Sequence, residues 1–225
     1  MNRIYGINTI SDDVYENIKN DILVLNIKPG TPITEQFICE KYEISRTPSR
    51  DVIQRLRSDG LIHTIPYKAS YVSLLDMKSI RQYIYMRIAI ETKVIKDAII
   101  MKDDELIKAL EEGLRKQEEL LETDFTPEEF YKMDGEFHRN WFMHTEKLIV
   151  WEEIQKLLVH YTRFRMLDIV MVKNFRAIFE EHKELVRIIK EANFDEVEPM
   201  LTKHLYGGIE RLGDKISGEY AEFFV

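Results

Sequence analysis

Four residues in the second half of the chain carry donor atoms that a divalent cation accepts: Asp134, His138, His182 and His204. Asp134 and His138 stand four positions apart, so on a helix both project from one face toward a common point. His182 and His204 lie 22 residues apart with Asn193 midway, which places them on consecutive antiparallel helices. One carboxylate and three imidazoles suit zinc, nickel, iron or manganese, and leave one or two positions open in a five- or six-coordinate site. Spacing alone leaves a plainer alternative standing. An Asp–His pair arises easily, and the other two histidines could cap or decorate helices. A metal with an open position could also activate water, so a metal-dependent hydrolase is a further alternative, although no general base stands beside the set. His63, His144 and His160 fit no such set and are expected to be structural or surface residues.

The remaining candidates are mostly cationic. Arg87 sits among Ile84, Ile88 and Ile95, where an arginine needs an anionic partner. Glu91 at i+4 supplies one, in a pair worth only a few tenths of a kcal/mol if exposed. Arg46, Arg50 and Arg57 fall at i, i+4 and i+11, on a different face from the apolar stripe Val52, Ile53 and Leu56. They belong to a segment opening at Ser45 and closing at Asp59-Gly60-Leu61, just after the tight run 35–42. Two short helices joined by a three- or four-residue turn form a helix-turn-helix, whose second helix enters the major groove. In that geometry Arg46 and Arg50 meet guanine edges or phosphates, with Arg57 on the same face. Ser45 and Thr47 reach phosphate, Lys68 reaches the minor groove from a wing, and Gln36 adds a backbone contact. The bland alternative is that the three arginines only solvate a surface.

The elements that position these residues follow from periodicity and punctuation. Ile10, Val14, Ile18, Ile22 and Leu25 predict a helix over 9–27, ended by Pro29-Gly30. Thr34 is placed to cap the next helix, and Ser45 or Thr47 the third, with Pro48 in its first turn. After Gly60, two short strands flank Pro66-Tyr67-Lys68. Three helices and a hairpin make a winged helix. From Asp76 the strand signal disappears, and helices are predicted at about 77–101, 103–123, 127–143, 146–171, 173–191 and 194–217. The chain is therefore mostly α: a winged helix-turn-helix over 1–75, then an all-α bundle over 76–225.

Composition agrees with this division. At 225 residues, one large or two modest domains are expected. The net charge of −8 argues against nucleic acid until it is located. The first 75 residues hold nine basic and nine acidic side chains, so the whole excess lies in the bundle, away from the phosphates. A single cysteine, Cys39, excludes an intramolecular disulfide and fits a reducing cytosol; it is expected to pack in the core. The start of the chain lacks the pattern of a secretory leader, and no apolar run is long enough to span a bilayer. A soluble cytoplasmic protein is the expectation.

The first 75 residues resemble the winged-helix domain of the GntR family of bacterial transcription regulators. The family pattern runs Pro-Gly-x-x-Leu-x-Glu, Val-Ser-Arg-Thr-Pro-Val-Arg-Glu, Gly-Leu, and a wing ending in Gly-x-x-Val. Here it reads Pro29-Gly30, Ile33, Glu35, the run Ile44 to Asp51, Gly60-Leu61 and Val72. Ser49 stands in place of an aliphatic, which predicts looser packing. Ala69 stands where the wing usually has glycine, and a positive φ there would be costly. Residues 77–210 resemble the family's FadR-type ligand domain, FCD, through Tyr85-Met86-Arg87 with Glu91, Asp134-x-x-Phe137-His138, Glu181-His182 and His204.

The resemblance implies a DNA-binding regulator, most often a repressor. In it Asp134, His138, His182 and His204 hold a divalent metal inside the bundle, and a small carboxylate effector binds beside that metal. It makes Arg87 a clamp for the effector carboxylate, with Arg163 and Arg165 as further candidates for the same pocket. The bundle would also join two copies, since helix-turn-helix proteins read palindromic operators as two-fold dimers. A regulator that senses the metal itself is the nearest alternative.

Overall fold

The computed structural model describes residues 9–157 and 159–225. Residues 1–8, over which no secretory leader was read, lie outside the described residues. The chain forms two compact units: the residues up to Asp76 together with Glu219–Val225, and Met77–Gly218.

In the first unit Thr9 opens α1 (Ile10–Leu23) with a capping box, its hydroxyl and the Asp12 carboxylate each holding the other's backbone N–H. The helix stops short of the expected 27 because Leu25 turns left-handed, φ 64°. As expected, Thr34 caps α2 (Glu35–Tyr42), accepting from the Phe37 N–H at 3.0 Å. Glu43 takes the left-handed conformation that turns the chain into α3 (Arg46–Ser58). Ser45 occupies the N-cap position of α3, although its hydroxyl makes no capping bond. Ser49 was expected to loosen this region and does the reverse. It is fully buried, and its hydroxyl donates to the Glu35 carbonyl at 3.1 Å, tying α2 to α3. Val52 and Leu56 are buried as expected; Ile53 is only half-buried.

Helix α3 ends on a complete Schellman motif. Leu61 N–H reaches the Leu56 carbonyl at 2.9 Å and Gly60 N–H the Arg57 carbonyl at 3.1 Å, with Gly60 at φ 71°. Gly60→Ala forces a side chain into that left-handed position, at a cost of about 1–2 kcal/mol. The expected result is faster amide exchange across 46–62, measured by hydrogen–deuterium exchange, with the second unit unchanged.

The wing strands are β2 (Ile62–Thr64) and β3 (Ser70–Val72), and β1 (Pro32–Ile33) joins them in the antiparallel order β1-β3-β2. Two residues carry no alternation, so β1 left no trace in the pattern; its proline is tolerable on an edge. The left-handed residue of the wing turn is Tyr67, φ 61°, and Ala69 is spared the strain expected of it. The expected boundary after 75 assigns the whole remainder to the bundle, and the compact units divide the chain end differently. Residues 219–225 return to the first unit: Leu75 donates to the Phe223 carbonyl at 2.8 Å and accepts from Val225 N–H at 3.0 Å, while Tyr220 and Phe223 are buried. Apolar side chains at the end of a chain find a core wherever one is exposed to them, and local periodicity does not say which.

The described residues of the second unit form only helical elements: α4 (Met77–Met101), α5 (Asp104–Leu121), α6 (Pro127–His144), α7 (Leu148–Leu157), α8 (Val159–Val172), α9 (Phe175–Lys190) and α10 (Phe194–Leu212), closed by a 3₁₀ turn at Gly213–Ile216. The helix expected over 146–171 corresponds to α7 and α8, which lie on either side of residue 158, outside the described residues. Thr126 and Glu129 form a capping box and Pro127 fills the first turn, which fixes where α6 begins. Helix α4 packs on α10, α8, α6 and α9, and α5 packs on α6 and α9. Helix α10 packs against α8 at Gly208, where a Cβ would lie 3.2 Å from the Asp168 carboxylate and the Phe164 ring.

Candidate metal centre and DNA-reading face

Helix α6 presents Asp134 and His138 from one face, α9 presents His182, and α10 presents His204. All four are buried, and one donor atom from each lies within 4.8 Å of the others. That spread is little wider than the ~4.2 Å across an octahedral ion with bonds of about 2.1 Å. His138 Nε2 lies 3.1 Å from His204 Nε2, and His182 Nε2 lies 3.4 Å from Asp134 Oδ1 without making a hydrogen bond.

The outer nitrogens determine what the inner ones carry. His138 Nδ1 meets Glu91 Oε2 at 2.7 Å, His204 Nδ1 meets Glu181 Oε2 at 2.8 Å, and His182 Nδ1 meets Gln117 Oε1 at 2.8 Å. Each partner is an acceptor, so each imidazole donates outward and turns an Nε2 lone pair inward. Two lone pairs 3.1 Å apart repel unless a proton or a cation lies between them. A proton is disfavoured. Burial lowers the pKa of both His182 and His204, most strongly for His204, and for His204 the neighbouring imidazoles lower it further. Burial pushes the Asp134 carboxyl up, but Arg165 and His182 outweigh it and hold it well below the usual carboxylate range. Three inward lone pairs and an ionised carboxylate fit a divalent cation.

A shell of buried charge surrounds this set. Arg87 and Glu91 do form the i,i+4 pair, at 2.6 Å, but it is buried rather than exposed. Arg87 also donates to the Tyr161 hydroxyl at 3.2 Å and lies 3.2 Å from His138 Nδ1. That nitrogen cannot accept from Arg87 while donating to Glu91, and the shorter contact decides in favour of Glu91. Burial pushes the Glu91 carboxyl up, and Arg87 with His138 overcomes this and brings it down. Arg165 lies 3.3 Å from Asp134 and 3.2 Å from Asp168, which in turn accepts from Arg211 at 2.7 Å. Arg163 is fully buried on α8, and burial pushes its guanidinium down to about 10. Sequence reasoning missed Gln117, Tyr161, Asp168 and Arg211 altogether, and it read Glu181 as a landmark without a role. Gln117 and Glu181 lie 65 and 23 residues from the histidines that they touch, so no local spacing announces either role.

On the first unit Gln36, Ser45, Arg46, Thr47, Arg50, Arg57 and Lys68 are all exposed. Arg57 and Lys68 line a groove with Thr34 and Tyr67, between the reading helix and the wing. Arg50 is partly engaged, its Nε 2.9 Å from Glu35, and Gln36 donates to Glu40 at 2.7 Å. Arg55 was no candidate and faces away: it pairs with Asp12 at 2.7 Å and lies over the Tyr15 ring. Tyr67, fully exposed at the wing tip, was also overlooked. Cys39, expected in the core, is half-buried beside Thr34 and Arg46. His63 is exposed on the wing, and His144 is half-buried in a pair with Asp103 at 2.7 Å. Among the described residues no helix is long and apolar enough to cross a membrane.

Residues 10–72 match the family described as bacterial regulatory proteins, gntR family, and residues 82–207 match the FCD domain. The HTH-type transcriptional repressor RspR of Escherichia coli K12 is 26% identical over 87% of this chain and 86% of its own. The gluconate operon transcriptional repressor of Bacillus subtilis is 22% identical over 84% of this chain and 78% of its own. Among solved structures, E. coli McbR/YncC has a TM-score of 0.69 at 17% identity, covering 95% of this chain and 100% of that one. These relatives regulate transcription and are not enzymes, which leaves no support for the hydrolase alternative. The chain belongs to the GntR family of DNA-binding transcription regulators, with an FCD domain following its winged helix in the sequence.

Proposed function

We propose that this regulator is a cytoplasmic homodimer that represses transcription from a palindromic operator, and that a small carboxylate effector releases it. Arg46, Arg50 and Arg57 read the major groove, Ser45, Thr47 and Gln36 hold the backbone, and Lys68 reaches the minor groove. Asp134, His138, His182 and His204 hold a zinc, nickel, iron or manganese ion. That ion supplies positive charge and an open coordination position, and Arg87 and Arg163 face the effector from the surrounding wall. The observation that carries the metal reading is the inward convergence of three imidazole Nε2 atoms on the Asp134 carboxylate, each ring backed at Nδ1 by a side-chain oxygen. Repression is the sign borne by the relatives named RspR and gluconate operon repressor.

A second reading, in which the metal is itself the signal, is favoured by Arg87. Its guanidinium is already engaged by Glu91 and Tyr161, so an effector would have to share it. A mobility shift on DNA from upstream of the protein's own gene separates the readings. The expected result is a specific shift that a small carboxylate abolishes only in metal-loaded protein. Loss of the shift on chelation alone, with no response to carboxylates, establishes the metal sensor instead. No specific shift under any condition overturns the DNA reading.

A further inference from the structure

The three imidazoles differ in what stands behind them. His138 and His204 lean on carboxylates, Glu91 and Glu181, whereas His182 leans on an amide, Gln117 of α5. A carboxylate ionised at neutral pH only accepts, which confines His138 and His204 to the tautomer protonated on Nδ1. An amide offers an acceptor on one side and a donor on the other within nearly the same shape. It can serve either tautomer of His182.

Gln117 is only 1% exposed, and its Nε2 makes no hydrogen bond. Turning the amide over therefore breaks nothing except its bond to His182, which it replaces with the reverse bond. His182 Nε2 is in the same condition, buried without a hydrogen bond beside Asp134 Oδ1. Buried polar atoms in native cores are nearly always satisfied, and two unsatisfied nitrogens along one short chain of groups need an explanation. For the His182 nitrogen, two arrangements provide it. With Oε1 toward His182, the Nε2 lone pair faces Asp134 and needs a cation between them. With the amide reversed, Gln117 donates to Nδ1, and His182 Nε2–H turns to the Asp134 carboxylate.

We propose that Gln117 is a positioning residue of the metal centre, whose amide orientation switches His182 between a metal-binding tautomer and one that hydrogen-bonds Asp134. This rests on the metal reading above and deepens it: His138 and His204 are permanently ready to ligate, and His182 is the ligand that engages or withdraws. Metal exchange is thereby tied to the rotation of one buried amide. Gln117→Glu removes the choice and holds His182 in the metal-binding tautomer. Gln117→Leu removes the orienting bond.

The test uses full-length protein and zinc ion alone, or nickel, iron or manganese where zinc is not taken up. In nitrogen-15 histidine spectra of the wild type, zinc-free protein is expected to carry the His182 proton on Nε2, with His138 and His204 protonated on Nδ1. Zinc moves the His182 proton to Nδ1. In competition against a chromophoric chelator, Gln117→Leu binds zinc roughly 10- to 100-fold more weakly, the range found when outer partners of ligating histidines are removed. Gln117→Glu binds at least as tightly as wild type and releases zinc more slowly. A His182 proton on Nδ1 in both states overturns the proposal, as does wild-type zinc affinity in Gln117→Leu. The spectra need no variant, so a misfolded substitution does not shield it. Wild-type protein that takes up none of zinc, nickel, iron and manganese overturns the metal reading and this inference with it, whereas normal zinc uptake with an unmoved His182 proton overturns this inference alone.

Discussion

Arg46→Ala combined with Arg50→Ala weakens specific operator binding by roughly 30- to 10⁴-fold. Each arginine held bidentate against a guanine edge contributes about 1–3 kcal/mol of discrimination, and tenfold in affinity corresponds to about 1.4 kcal/mol. The two side chains are exposed in the first turns of α3. Neither supports the fold, so the double variant melts as the wild type does. The single substitutions are unequal. Arg50 already has an ion pair with Glu35 at 2.9 Å, which it must give up or share on binding DNA. An exposed pair of this kind is worth about 0–1 kcal/mol, so Arg50→Ala costs correspondingly less than Arg46→Ala. Salt separates base from backbone contact. A lost phosphate contact flattens the salt dependence by about one unit of slope and affects all sequences alike, whereas a lost base contact relaxes preference at one position. Anisotropy titrations with operator and scrambled duplexes at several salt concentrations report both. Unchanged operator affinity in the double variant would mean that α3 is not the reading helix.

Legibility in the sequence followed the range of the interactions. Helices α4, α5 and α6 were readable because their caps and breaks are local: Asp103 before α5, Thr126-Pro127 before α6. Asp134 and His138 were readable as a pair because four residues of helix align them. Which outer partner each imidazole has was not, because Gln117 and His182 are 65 residues apart and only tertiary packing joins them. Ser49 shows the same limit in reverse. Its polarity looked like a packing fault, until the carbonyl of Glu35 on the neighbouring helix proved to be its partner. At the wing, Ala69 drew attention through comparison with a glycine, yet the turn places its left-handed residue two positions earlier, at Tyr67. Turn type depends on how the strands pair, and their register (His63 opposite Tyr71) is not written in six residues.

Behind Asp134 and His138 the buried charges are arranged so that each side chain is supported by a group that is itself neutralised. Asp134 is backed by Arg165, which is shared with Asp168, which is shared with Arg211. His138 is backed by Glu91, which is neutralised by Arg87. Such chains satisfy charge at the cost of mutual dependence. Removing any middle member strands its neighbours in a medium where an isolated ion is expensive.

Glu91→Leu is therefore expected to be among the most damaging single substitutions in the second unit. It leaves Arg87 buried with no carboxylate, and breaking a buried pair in this way costs about 3–5 kcal/mol, a large share of the roughly 5–15 kcal/mol that holds a typical domain together. Arg87→Leu with Glu91→Leu removes both charges and fills their space with apolar atoms. Replacement of a whole buried pair is often nearly neutral, so the double variant is expected to recover most of the stability that the single one loses. Both tryptophans of the chain, Trp141 and Trp151, lie in this unit, so urea unfolding followed by tryptophan fluorescence reports on it alone. Zinc binding should not recover with the fold. In the double variant His138 still lacks the acceptor that orders its Nδ1 proton, and zinc affinity stays roughly 10- to 100-fold below wild type. Stability and metal binding are thus separated by one residue that serves both: Glu91 holds Arg87 with one oxygen and His138 with the other. A double variant as unstable as Glu91→Leu would show that the pair is not the source of the damage. A stable double variant with wild-type zinc affinity would show that Glu91 does not position His138 for the metal.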